Sequence, residues 1–141
     1  MIAAGRWISN EFSVSALARW GTMGGMTELH MLVVYVPGTH TRQVLEAVGD
    51  AGAGRIGNYS HCSFVTSGTG RFTPRAGAAP YVGDVGVPEE VPEDRIECVV
   101  ERPLLQGVIA ALRAVHPYEE PALMSWKVER WNFQDPDSSR A

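Results

Sequence analysis

The chain has 141 residues, 45% of them hydrophobic and 20% charged, with a formal net charge of −4 at neutral pH. Those values suit one globular domain of about 100–150 residues around a single core. No block of five or more like charges occurs along the chain. This argues against nucleic acid or an anionic membrane surface as the main partner, because phosphate recognition needs grouped Lys and Arg.

The first stretch, Met1 to Gly25, carries Arg6 and Arg19 but has no continuous apolar core of the signal-peptide kind. No apolar run approaches the ~20 residues needed to span a bilayer. Met23 and Met26 stand just before the strongest strand signal. The expectation is that residues 1–27 are a disordered leader or the product of a misassigned start, with residues 28–131 forming the domain. Leu29 to Val36 is nearly all apolar and rich in β-branched residues, which predicts a central strand covered on both faces. Pro37-Gly38 ends it. Thr39 or Thr41 can cap the next helix, where Val44, Leu45, Val48 and Ala51 recur at helical spacing and Gly52 supplies the stop.

Cys62 to Thr66 reads as a second strand, followed by a long Gly- and Pro-rich stretch from Gly68 to Pro92. Arg95 to Val100 alternates, placing Ile96, Cys98 and Val100 on one face. Pro103 fits a first helical turn, and Leu104, Leu105, Val108, Ile109, Leu112 and Val115 form the apolar stripe of that helix. It must finish at His116-Pro117, because proline pushes the preceding residue out of helical backbone. Met124, Trp126 and Val128 alternate with polar residues as a last strand, and residues 132–141 read as a polar, frayed tail. The order is strand, helix, strand, strand, helix, strand. That predicts an α+β, ferredoxin-like βαββαβ sandwich with two helices on one face of a four-stranded antiparallel sheet. The other face then needs cover, which favours self-association.

Three stretches are too particular for ordinary loops: Ala51 to Phe64, Gly68 to Gly83, and His116-Pro-Tyr-Glu-Glu-Pro121. Taken in order, all three resemble the inserted domain of the NGG-one-interacting-factor-three proteins and the small free-standing proteins built from that domain alone. The third also resembles the His-Pro-Tyr-Glu-x-Pro turn of CutA proteins. The likeness covers about Glu28 to Val128; Pro88 and Pro92 make the approach to the third strand richer in proline than the family pattern. The resemblance implies a CutA/PII-like, trimer-forming fold. It does not imply the metal-dependent hydrolase-like chemistry sometimes assigned to the larger two-domain members, whose two-metal site belongs to a part outside this likeness.

Gly52, Gly54 and Gly57 spell a G-x-G-x-x-G string, but it follows a helix and precedes a strand, the reverse of the dinucleotide-binding order. A tight turn needing positive φ is the better account. Arg55, with exposed loop N–H groups beside it, leaves anion binding open, and Asn58, Tyr59 and His61 join it as candidate ligand-binding or interface residues. His61 and Cys62, neighbours on a strand, should face opposite ways and so cannot share an ion or act as base and nucleophile. Cys98 reads as core, and two distant cysteines without a CxxC pair point to a reducing cytoplasm rather than a disulfide framework. A divalent metal could sit on His116, Glu119 and Glu120, completed by another subunit. Alternatively His116 caps the helix end as a cation, while Glu119 and Glu120 bond to nearby N–H groups.

In the long loop, Phe72 and Tyr81 are candidate anchors of a subunit contact, while Arg71 and Arg75 could hold a small anion, a nucleotide or an anionic partner. No catalytic constellation emerges. The reading is a non-enzymatic trimeric module that binds a small molecule or metal ion and regulates. A metal-dependent enzyme with an intersubunit site and a purely structural oligomerisation domain are the alternatives.

Overall fold

The computed structural model describes residues 27–130. The expected leader up to residue 26, the alternative starts at Met23 and Met26, and the polar tail lie outside the described residues. Within them the elements are β1 (Leu29–Pro37), α1 (Thr41–Asp50), β2 (Phe64–Phe72), β3 (Glu89–Glu101), a 3-10 turn (Arg102–Leu104), α2 (Leu105–Val115) and β4 (Leu123–Val128). The sheet order is β2-β3-β1-β4, with every neighbouring pair antiparallel. This is the expected ferredoxin-like arrangement, both helices lying on one face.

Alternation in the strands builds the core. Leu32, Val34 and Val36 of β1 and Ile96, Cys98 and Val100 of β3 face Val44 and Val48 of α1 and Leu105, Val108 and Leu112 of α2. Each fully buried Val, Leu or Ile contributes about 1.5–3 kcal/mol of transfer free energy. On the opposite face Leu29 and Val33 are buried but Met31 and Tyr35 are half-exposed, so cover of β1 on both faces is only partial.

Register places the last strand differently from a simple core strand. Met124 pairs with Val33 and Trp126 with Met31, so both lie on the open face, where they are 48% and 46% exposed. Phe64 of β2, opposite Glu97, shares that face and is 65% exposed. The open face is not wholly apolar: Arg95 reaches Glu97 at 2.6 Å and the Tyr35 hydroxyl at 2.9 Å across its middle.

Three local expectations need correction. Neither Thr39 nor Thr41 caps α1. Its N-cap residue is His40, which makes no side-chain cap bond. Thr41 Oγ1 instead donates to Asp94 Oδ2, and Ser67 Oγ donates to Asp94 Oδ1, both at 2.6 Å. Those two bonds, Ser67 first, hold the Asp94 carboxyl below its usual range. They also tie the start of α1 to β2 and β3.

Second, β2 does not begin at Cys62; it runs from Phe64 through Gly68 and Gly70 to Phe72. Third, β3 begins at Glu89, six residues before the expected start at Arg95. The Gly/Pro-rich loop is therefore shorter, residues 73–88. Pro92 is accommodated because β3 meets β1 only from Glu93 onward, so residues 89–92 have a ladder neighbour on one side only.

The helix stops behave as expected. Gly52 has φ +106, and Gly52 and Ala53 donate to Gly49 O and Val48 O, closing α1 with a doubly bonded left-handed cap. His116, with φ −75 and ψ 133, leaves α2 in extended backbone ahead of Pro117.

Candidate functional site

Of the three unusual stretches, the fold brings two together and sends the third to the far end of the sheet. β1 and β2 finish, and β3 and β4 start, at one end. There the 73–88 loop folds against the 116–122 turn. At the opposite end Gly54 donates to Val99 O and accepts from Cys62 N–H, anchoring the 51–62 segment. Along β3, Glu93 and Val99 are about 20 Å apart at ~3.3 Å per residue.

The near end contains a cleft of about 240 Å³. Its aromatic walls are Phe72, Tyr81 and Tyr118. The ring centroids of Tyr81 and Tyr118 are 5.9 Å apart, and those of Phe72 and Tyr118 are 6.5 Å apart. Tyr81 also meets the edge of His40 at 6.1 Å. Pro74, Ala78, Pro80, Val82 and Ala122 complete the apolar lining, and Arg71, Glu93, Glu119 and Glu120 supply the charge. The Arg71 guanidinium is paired with Glu90 at 3.1 Å.

His116 supports this cleft from below. Its Nδ1 accepts the Tyr118 backbone N–H at 3.1 Å, so Nε2 carries the proton and donates to the Tyr35 carbonyl at 2.9 Å. Burial lowers its pKa; the Tyr35 bond acts in the opposite direction. His116 is thus a neutral strut between the turn and β1. It does not cap the end of α2 as a cation, which corrects that expectation. Burial, aided by the neighbouring Glu93 carboxylate, raises the Tyr118 hydroxyl well above its ordinary range. Tyr118 therefore stays protonated, with the Glu93 carboxylate lining the same cleft. Glu119 Oε1 accepts the Ala79 N–H at 2.9 Å, pinning the loop to the turn. Among the described residues no group of three or more His, Cys, Asp and Glu is arranged to hold a metal ion.

The other candidates fall outside the cleft. Arg75 is exposed on the loop and absent from the lining. Arg55, Asn58 and Tyr59 belong to an exposed tight turn in which Ile56 and Tyr59 exchange backbone bonds at 3.0 Å. His61 is not on a strand; it takes left-handed backbone with φ +58. Its Nε2 meets Asp50 Oδ1 and its Nδ1 meets Ser60 Oγ, each at 3.1 Å, so the ring ties this loop to the end of α1. Nothing in the spacing of Asp50, Ser60 and His61 announces that trio. Cys62 and Cys98 are unpaired, and burial pushes the Cys98 thiol up to about 11, an inert core group. Sequence reasoning also missed Glu93, because the strand carrying it reads as loop.

No protein-family profile matches the chain. It is 50% identical over 98 residues to a Mycobacterium leprae protein named GTP cyclohydrolase 1 type 2 homolog, covering 70% of this chain and 26% of that one. A Bacillus subtilis protein of the same name is 47% identical over 102 residues, with 72% and 27% covered. The chain thus spans about a quarter of the length of the curated relatives it matches. Among solved structures, a Bacillus cereus protein related to NIF3 superposes with a TM-score of 0.66 at 44% identity, over 74% of this chain and 26% of that one. CutA1 from Ehrlichia chaffeensis superposes at 0.53 with 18% identity, over 77% and 88%, which speaks to fold alone. With the sheet order, the paired helices and these likenesses in place, the chain carries an NIF3-family domain of CutA/PII-like fold.

Proposed function

We propose that the domain is a non-enzymatic binding and regulatory module, assembling with copies of itself as a trimer and taking a small ligand in the cleft between the 73–88 loop and the 116–122 turn. One observation carries the reading: two stretches some forty residues apart, each unlike an ordinary loop, close on one another through Tyr81–Tyr118 contact and the Ala79–Glu119 bond. Long loops that carry aromatic and charged groups on a rigid scaffold are commonly functional. The two unpaired cysteines support a reducing, cytoplasmic setting.

The geometry favours an organic ligand over a metal ion on His116, Glu119 and Glu120, because His116 has both ring nitrogens engaged within the fold. It also favours a small ligand. At about 240 Å³ the cleft falls below the ~300–1,000 Å³ usual for drug-sized molecules. The curated relatives bear a name that invokes GTP, and we assign to this domain a supporting role beside such chemistry in longer proteins.

The test is a thermal-shift and calorimetric panel on the full chain, comprising GTP, ATP, divalent cations, small amines and small carboxylates. At least one small organic compound should raise the melting temperature, and Tyr118→Leu should abolish that response. A chain indifferent to the whole panel ends the binding reading.

A further inference from the structure

The charge and wall chemistry of the cleft narrow its ligand. Three carboxylates, from Glu93, Glu119 and Glu120, line it against one guanidinium, and Arg71 already faces Glu90 at 3.1 Å. An anion entering would meet net repulsion; a cation would not. The walls are equally particular. Phe72, Tyr81 and Tyr118 border one small space, with centroids 5.9 and 6.5 Å apart, and the remaining lining is proline, alanine and valine. Aromatic faces attract cations through their quadrupole. A bare metal ion, by contrast, needs converging oxygen or nitrogen ligands. These residues suit a cation that carries its own apolar surface.

We propose that the cleft binds a small organic cation, an alkylammonium whose hydrocarbon portion packs on Phe72, Tyr81 and Tyr118 and whose charge faces Glu93 and Glu119. This rests on the binding reading of the same cleft and replaces the anion expected at Arg71 and Arg75. Glu93 is the central group. Its carboxylate lines the cleft together with Tyr118 and keeps lone pairs for an ammonium N–H. Glu119, held by the Ala79 N–H, places a second carboxylate where the loop meets the turn.

The experiment is calorimetric titration of the full chain with n-butylammonium, n-butanol and n-butyrate, which share a skeleton and differ in charge. Butylammonium should bind about tenfold or more tighter than butanol, a difference of ~1.4 kcal/mol, and butyrate should not bind. Glu93→Gln should weaken butylammonium about tenfold and leave butanol unchanged. Tyr118→Phe, which keeps the ring, should retain butylammonium binding, and Tyr81→Leu, at an exposed position, should weaken it. Equal or tighter binding of butyrate, or no binding of butylammonium, overturns the proposal. If butyrate or a nucleotide binds and the response is lost in Tyr81→Leu, the cleft remains a binding site and only its charge preference was misassigned. If nothing binds, both readings fall together.

Discussion

His116 shows how one side chain can look functional and yet be occupied by the fold. Its ring links the Tyr118 N–H to the Tyr35 carbonyl, so removing it leaves a part-buried donor and a part-buried acceptor without that partner. His116→Ala should therefore cost about 1–3 kcal/mol in urea unfolding near neutral pH. The same ring sets a pH dependence. Its folded pKa lies below the ordinary value of 6.5, because burial disfavours the charged form. The stabilisation from the neutral ring is thus fully present above about pH 6.5 and lost as pH falls through the depressed folded value. Unfolding free energies at about pH 7.5 and about pH 5 should differ more for the native chain than for His116→Gln; equal differences would remove His116 as the titrating strut. That α2 ends at His116 was legible, since Pro117 dictates it locally. The partners were not, because Tyr35 is 81 residues away and only the sheet brings it near.

Among elements, the turn after α1 separates two kinds of glycine. Gly54 has φ +72, and a Cβ there would strike the Cys62 backbone, whose N–H donates to Gly54 O at 2.9 Å. Gly57 has φ +56 and open space around it. Asparagine tolerates left-handed backbone, so Gly57→Asn should change the melting temperature little. Gly54→Asn should destabilise by more than the ~1–3 kcal/mol of backbone strain alone, since two bonded segments must separate. Similar losses from both substitutions would contradict this geometry. The string's reading as a turn came from its place after a helix, which periodicity showed plainly. Periodicity failed at β2 and β3. Gly68, Gly70, Pro88 and Pro92 carry the chemistry of a loop, yet Gly70 pairs with Val91 and Phe72 with Glu89 in an arm that outruns β1. Pairing between the two strands overrides local propensity there, and with it Glu93 moved from an apparent loop to the floor of the cleft.

At the scale of the whole molecule, the helices cover one face of the sheet and leave the other to be hidden or wetted. Phe64, Met124 and Trp126 stand out on that face at 65%, 48% and 46% exposure, and among the described residues β2 and β4 are the edge strands beside them. Full burial of such side chains is worth about 1.5–3 kcal/mol each, enough to drive association when several act together. The Arg95–Glu97 pair and the Tyr35 hydroxyl in the middle give the face a polar centre, and their mutual bonds let it be buried without unpaired charge. The expectation of an open face came from counting two helices against one sheet; its polar centre depends on register and could not be counted in advance. If copies of the chain meet there, sedimentation at micromolar concentration should give a trimer. Phe64→Asp with Trp126→Lys should shift it to monomer while leaving the far-UV circular dichroism unchanged, because neither side chain touches the helix-facing core. Native protein that sediments as a monomer would leave the open face unexplained and remove the oligomeric half of the proposed function, whereas ligand binding in the cleft, built from a single chain, would stand or fall by its own titration.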